Sequence, residues 1–395
     1  MKWTTKPLAE VAEFRLGKML DDKKNKGEPL PYLANINVRW GECDLENLRE
    51  MRFAHDEMDR YGLKYGDIVM CEGGEPGRCA IWKESVPGMM IQKALHRIRP
   101  HDCLDHRFLF YSFLHKGMIG NFAPLFTGAT IKHLPREKLA KVEIAFPRLD
   151  VQRRIADILS AYDDLIENNR RRMALLEDAA RQLYREWVVR LRFPGHEHTR
   201  IVDGVPEGWV RKVLGELCED IRESVLPETL EPNTPYIGLE HMPRRSISLS
   251  EWGTAEQVIS SKHRFREGEI LFGKIRPYFH KVGIAFVDGM ASSDAIVIRA
   301  LRPQFRGLVL MTVSSDSFVA VTAQTMREGS KMPRADWKTM KQYLVPVPPD
   351  GLLCNYESTI QSIVEQLKTL AFASKKLRAA RDLLLPRLIS GEVTA

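Results

Sequence analysis

From Asp150 onward, apolar side chains return at alternating intervals of four and three: Ile155, Leu159, Tyr162, Ile166, Asn169, Met173, Leu176, Ala180, Leu183 and Trp187. That spacing runs for about five heptads without Gly or Pro and predicts one long helix with a coiled-coil seam. Asp150 suits an N-cap, and Phe193-Pro194-Gly195 ends the segment. At ~1.5 Å per residue such a helix would be roughly 55–60 Å long. A long core helix inside one domain is the plainer alternative. A second, less apolar seam follows at Ile360, Ile363, Leu367, Leu370, Ser374, Leu377, Arg381 and Leu384, and Pro386 is expected to stop it. Two seams with a globular stretch between them predict antiparallel pairing. Asn169 and Ser374 are polar at seam positions, which either fixes register or leaves a face for a partner.

Elsewhere the pattern changes to short β-rich runs, such as Asp67-Ile-Val-Met and Lys141-Val-Glu-Ile-Ala-Phe, punctuated by Gly and Pro. Asp105-His-Arg-Phe-Leu-Phe-Tyr-Ser-Phe-Leu-His reads as a helix with an aromatic buried face. The β-rich pattern is written twice. Gly66-Asp-Ile-Val-Met70 returns as Gly268-Glu-Ile-Leu-Phe272, an offset of 202 residues. Pro31-Tyr-Leu33 returns as Pro235-Tyr-Ile237, Gly88-Met89 as Gly289-Met290, and Pro135-Arg136 as Pro333-Arg334. The expected fold class is α+β: two β-rich, mainly antiparallel units in internal repeat, each followed by a long helix, the helices pairing as an antiparallel coiled coil. The boundaries are 1–149 for the first unit, 150–190 for its helix, 191–353 for the second unit, and 354–395 for the second helix and tail.

Length and composition narrow the class. A chain of 395 residues with 44% hydrophobic content supports two or three ordinary cores. The first residues lack the apolar core of a signal peptide and no stretch approaches ~18 apolar residues, so a soluble, cytoplasmic chain without membrane contact is expected. Six cysteines form no CxxC pair, which favours reduced thiols. A zinc site built from Cys71, Cys79 and Cys103 is the alternative. The net charge of +7 favours a polyanionic partner. It is thinly spread: residues 1–149 carry 24 basic and 20 acidic side chains, and residues 191–353 carry 21 and 20. Nucleic-acid binding would therefore rest on clustered charges.

Catalytic motifs fail one after another. Gly268-Glu-Ile-Leu-Phe-Gly-Lys274-Ile275 nearly matches a phosphate-binding loop but lacks the final hydroxyl, and its repeat partner reads as a strand. No amino-methyltransferase motif, no HExxH and no nucleophile with an evident base is present. No catalytic residue and no metal ligand is therefore assigned. What remains are polar, basic loops at similar places in both units. In the first they carry Lys18, Lys24, Asn35, Asn37, Arg39, Arg78, Thr130, Lys132 and His133. In the second they carry Arg244, Arg245, Lys274, Arg276, Tyr278, Lys281, Ser330, Lys331 and Arg334. Lys and Arg can pair with phosphates, while Arg and Asn can read base edges. Solvated loops are the plain alternative for any one of them.

Several phrases resemble the specificity (S) subunit family of Type I restriction–modification systems. Gln152-Arg-Arg-Ile-Ala-Asp-Ile-Leu-Ser-Ala-Tyr-Asp-Asp-Leu-Ile-Glu-Asn-Asn-Arg-Arg is similar to the opening of the family's central helix. Gly204-Val-Pro-Glu-Gly-Trp209, Thr127-Gly-Ala-Thr-Ile-Lys-His-Leu-Pro135 and Leu383-Leu-Leu-Pro-Arg-Leu-Ile-Ser-Gly-Glu392 are similar to other family phrases, so the resemblance spans the chain. It implies two target recognition domains, each reading half of a bipartite, asymmetric site in double-stranded DNA. The helices would be a ruler for the spacer and a dock for two methyltransferase (M) subunits. This chain would hold no cofactor: S-adenosylmethionine would come with the M subunits, ATP and Mg²⁺ with the restriction (R) subunits. A coiled-coil adaptor with two protein-binding β-rich units is the competing reading.

Overall fold

A computed structural model describes residues 3–21, 25–324 and 333–393. The chain divides into two compact units, Met1–Ile166 with Leu377–Ala395, and Glu167–Lys376. Each unit therefore combines one β-rich region with a piece of both long helices.

In the first unit, Ala12–Leu16, Leu95–Pro100, Ile68–Cys71 and Cys79–Ile81 form a four-stranded antiparallel sheet in that order. A three-stranded sheet runs Arg49–Phe53, Glu28–Leu33, Met90–Ile91, its last pair parallel. The helix His106–Met118 starts where expected. The Asp105 carboxylate accepts from the Arg107 and Phe108 amides at 2.9 and 3.2 Å, which satisfies two of the first-turn donors. Phe108, Leu109, Phe110 and Phe113 are buried from this helix and share a core with Ile68, Met70 and Ile98 of the sheet.

The second unit repeats this frame. Cys218–Ile221, Ala295–Ala300, Ile270–Gly273, Val282–Ala285 and Ser248–Leu249 form one sheet. Ser224–Val225, Lys262–Phe265, Gly289–Ala291, Pro235–Ile237 and Gly253–Thr254 form another. Buried carboxylates mark the equivalence. Asp67 accepts from the Lys64 amide at 2.8 Å and takes both prongs of Arg99 at 2.7 Å. Glu269 accepts from the Arg266 amide at 2.9 Å and pairs with Arg299. Tyr32 lies opposite Met90 and Tyr236 opposite Met290 in matching parallel ladders. That register corrects the sequence alignment by one residue, because Met290 answers to Met90 rather than to Met89. A larger slip affects Pro135-Arg136. The Leu134 amide donates to the Glu72 carbonyl and the Ala335 amide to the Lys274 carbonyl, so Arg334 answers to His133.

The first long helix spans Leu149–Tyr184 and continues as a π-turn through Val189. It begins one residue before the expected cap, and Asp150 lies in its first turn. Gln152 is fully buried and ties the helix to its unit. Its amide oxygen accepts from the Asp105 amide at 2.9 Å, and its nitrogen donates to the carbonyls of Cys103 and Pro147. The second long helix spans Asp350–Ile389 and passes through Pro386, which does not stop it. Proline removes one helical hydrogen bond. Leu385 and Leu388 are nevertheless buried in the first unit's core beside Val151, Ile155 and Leu159, and burial of each is worth about 1.5–3 kcal/mol. The Ser390 amide still donates to the Pro386 carbonyl at 2.9 Å.

Helix pairing is antiparallel. The start of the first helix packs with the end of the second in one core. In the other unit, Ala180, Tyr184 and Val188 pack with Leu353, Tyr356, Ile360, Val364 and Leu367. Of the expected seam, Ile155, Leu159, Asn169, Leu367 and Leu370 are buried. Tyr162, Ile166, Met173, Leu176, Leu183, Ile363 and Leu377 are half-buried. Ser374 returns its hydroxyl to the Leu370 carbonyl at 2.8 Å.

Candidate nucleic-acid interface

Strand register brings the loops of each unit to one end of its sheets. In the first unit, Ile68–Cys71 runs out into Glu72–Gly77, Glu28–Leu33 into Asn35–Asn37, and a hairpin from Thr127 to His133 folds onto Gly73. The Asn35 amide donates to the Gly73 carbonyl at 3.3 Å and Arg78 donates to the Asn35 carbonyl at 3.0 Å. His133 Nδ1 stands 3.2 Å from Glu72. Gly74 takes a left-handed φ of 83°, and a Cβ there would sit 2.6 Å from the Asn35 amide nitrogen. Any side chain at that position would push Asn35 away.

In the second unit, Ile270–Gly273 leads into Lys274–Lys281, Pro235–Ile237 into Leu239–His241, and Gly289–Ala291 into Ser292–Asp294. Lys274 donates to the Ser293 carbonyl at 2.9 Å, and burial pulls its ammonium below the usual lysine range. Arg334 pairs with Asp294 at 3.3 Å. The Arg244 guanidinium lies 4.2 Å from the Phe279 ring centroid, with Arg276 5.8 Å from the same ring. Arg245, Arg276 and His280 all adopt left-handed φ, at 57°, 48° and 53°. Non-glycine residues pay strain there, and such strain concentrates at functional loops.

Several expected contacts are taken up inside the fold. Lys18 is 4% exposed, pairs with Glu57 and donates to the Arg52 carbonyl at 2.8 Å, so it is a core cation and not a phosphate contact. Asn37 is buried, accepting from the Ala34 amide and donating to the Asp44 carbonyl, so it shapes its turn. Arg78 has an 11% exposed side chain and pairs with Glu75 at 2.7 Å. Lys281 donates to the Leu239 carbonyl, and burial lowers its pKa. Arg245 is exposed but paired with Asp316 at 2.8 Å, and its carbonyl accepts from Arg181. Arg39, Thr130, Lys132, Arg244, Arg276, Tyr278 and Arg334 remain on the surface at the loop ends, while Asn35 and His133 stand half-buried beneath them. Lys24, Ser330 and Lys331 lie outside the described residues.

The two loop ends share geometry and differ in chemistry. Glu72 occupies the place of Lys274. Asn37 Oδ1 accepts from the Ala34 amide just as His241 Nδ1 accepts from the Gly238 amide, both at 3.0 Å. The zinc alternative fails on placement: Cys71 and Cys79 are buried while Cys103 is exposed, and among the described residues no three metal-ligating side chains converge. Ile270–Gly273 is a strand, so the near-match to a phosphate loop is a strand exit. No helix among the described residues is long and apolar enough to cross a membrane.

Sequence reasoning missed three polar groups that carry the frame. Besides Gln152, Glu177 on the first helix accepts from the Ser246 and Ser248 hydroxyls at 2.7 and 2.6 Å and from Arg181 at 2.9 Å. Asp163 accepts from the Tyr111 hydroxyl at 2.6 Å and pairs with Arg381. All three look like ordinary helix-surface polars in the sequence, and only their distant partners distinguish them.

Comparison with known proteins agrees with this architecture. Residues 1–178 match the profile described as the Type I restriction modification DNA specificity domain. The Type I restriction enzyme MjaIX specificity subunit of Methanocaldococcus jannaschii is 23% identical over 99% of this chain and 93% of its own length. The EcoDI specificity subunit of Escherichia coli is 23% identical over 61% of this chain and 59% of that protein. The crystal structure of a Type I restriction–modification system S subunit from M. genitalium matches with a TM-score of 0.58. It covers 98% of this chain and 96% of that one at 17% identity, a likeness of fold. Two repeated β-rich units, two antiparallel helices and these matches point the same way: residues 1–178 match a Type I restriction modification DNA specificity domain, and the chain is similar along nearly its whole length to a Type I restriction enzyme specificity subunit.

Proposed function

We propose that this chain is the sequence-reading subunit of a Type I restriction–modification complex, with each unit recognising one half of a bipartite, asymmetric site in double-stranded DNA. The observation that carries the reading is the pair of loop ends held by equivalent backbone hydrogen bonds but presenting different surface side chains, Arg39, Thr130 and Lys132 in one and Arg244, Arg276, Tyr278 and Arg334 in the other. A shared frame with different side chains is what two unlike half-sites require. Arg39, Thr130 and Lys132 of the first unit, with Arg244, Arg276, Tyr278 and Arg334 of the second, are the side chains assigned to DNA. Residues 1–149 and 191–353 then serve as target recognition domains, and 150–190 and 354–395 as the spacer helices. Those helices receive two M subunits, to which R subunits add. The chain itself is not a catalyst and holds no cofactor. The M subunits supply S-adenosylmethionine for adenine methylation, the R subunits ATP and Mg²⁺, and the complex works in the cytoplasm.

Methylation mapping of a genome exposed to this chain and its cognate M subunits tests the reading. One bipartite modified motif is expected. A contiguous motif, or none, would overturn it. Binding to duplex DNA should also weaken steeply with salt, because phosphate contacts release counterions. A protein-binding adaptor would show no such dependence.

A further inference from the structure

The Thr127–His133 hairpin is the most exposed part of the first unit's loop end, with every residue from Thr127 to Lys132 at the surface. Its base is firm. The Thr127 and His133 amides donate to each other's carbonyls at 2.8 and 2.9 Å. Leu134 just behind is fully buried, and its carbonyl is 2.9 Å from His96 Nε2. Gly128 takes φ of 93°, and a Cβ there would meet the Ile131 carbonyl oxygen at 2.1 Å, so the turn closes tightly. At the tip, between Thr130 and Lys132, Ile131 is 64% exposed. A β-branched side chain is stiff about χ1. Ile131 is thus a rigid apolar point on a braced loop, flanked by a hydroxyl and an ammonium.

The internal repeat says what kind of task such a point has. Counting back from the equivalent pair His133 and Arg334, the sequence sets Gly128 against Gly329 and Ile131 against Met332. Met332 lies outside the described residues. Elsewhere at the loop ends the two units diverge, even to opposite charge at Glu72 and Lys274. An apolar residue at this place in both sequences serves what the two half-sites have in common. All duplexes share a base stack, and apolar side chains, isoleucine and methionine among them, open stacks by entering between base steps.

We propose that Ile131 is an apolar wedge that enters the DNA stack at the first half-site, with Lys132 beside it on the phosphate backbone. This rests on the DNA-reading function above. The wedge opens one base step and lets the other loops reach base edges without itself selecting sequence.

The test uses the chain with its M subunits and duplexes carrying the mapped site, with 2-aminopurine replacing each adenine of the first half-site and its flanks in turn. Apart from the methylated adenine, which the M subunits take out of the stack themselves, the wild-type complex should raise fluorescence severalfold at one step. Ile131→Ala should abolish that rise, leave other steps and the melting temperature unchanged, and weaken binding roughly tenfold, the worth of about two buried methyl or methylene groups. Ile131→Leu should keep the signal, and Lys132→Ala should lower affinity without removing it. Persistence of the signal in Ile131→Ala overturns the wedge. So does a uracil-for-thymine exchange that reproduces the loss of affinity, because Ile131 would then read a thymine methyl. A wild-type complex that binds its site with every step stacked sinks the wedge and leaves the DNA reading intact. Equal affinity for unrelated duplexes sinks both.

Discussion

Arg381 and Asp163 stand 218 residues apart in sequence and form an ion pair within one unit. The Arg381 guanidinium also reaches Asp382 at 2.8 Å, and Asp163 receives the Tyr111 hydroxyl. A position that interrupts the apolar seam of the second helix is thereby matched by a position on the first. Burial, with the carboxylate beside it, pushes the Tyr111 hydroxyl far up, so it stays a donor.

Arg381→Met should destabilise the first unit by about 1–3 kcal/mol, because a partly buried carboxylate loses its cation. Asp163→Asn combined with Arg381→Met should cost less than the two single changes summed. Denaturant unfolding of the four proteins measures the coupling.

Glu177→Ala should cost about 2 kcal/mol, since two serine hydroxyls and Arg181 lose their acceptor together. Glu177→Gln should be milder, keeping one acceptor oxygen. Hydrogen exchange at residues 246–249 would locate the loosening in the second unit.

Glu357 accepts from the Gly307 amide at 2.5 Å, and burial raises its carboxyl pKa to about 7. The folded chain therefore holds a proton between pH ~4.5 and 7 that the unfolded chain has released. Stability from this group is full below that window and falls as pH rises through it. Urea midpoints should be higher at pH 5 than at pH 8, and Glu357→Gln should flatten the difference.

Arg276→Ala should weaken binding to the second half-site by about 1–3 kcal/mol and leave the first half-site's preference intact. Lys274→Ala should act on the same half-site. Selection of sites from random duplexes separates the halves, and equal loss at both would refute the assignment.

Removing about seven residues, two helical turns, from 155–187 of the first helix should change the preferred spacer between half-sites. Methylation mapping with the deletant reads this directly. An unchanged spacer would mean the helices do not set it.

The heptad seam and the repeat were legible because each is a periodicity, and periodicity survives without knowledge of partners. The helix ends were less so. Pro386 carries a local stop signal, and burial of Leu385 and Leu388 overrides it. The repeat alignment slipped at Pro135 because a shared Pro-Arg pair outweighed a frame that only backbone hydrogen bonds reveal. Among candidate DNA contacts, residue type alone could not separate Lys18 from Lys132. One lies beside Glu57 in the core and the other at a hairpin tip, a difference set by folding rather than by local sequence.

The first unit is discontinuous, and its core closes on Leu385 and Leu388. Those side chains are made after the whole of the second unit. The N-terminal half, made first, must wait with part of its apolar surface uncovered while the whole of the second unit is synthesised and begins to fold. Order of birth and order of completion are reversed, and the first unit becomes native only after the second has been made.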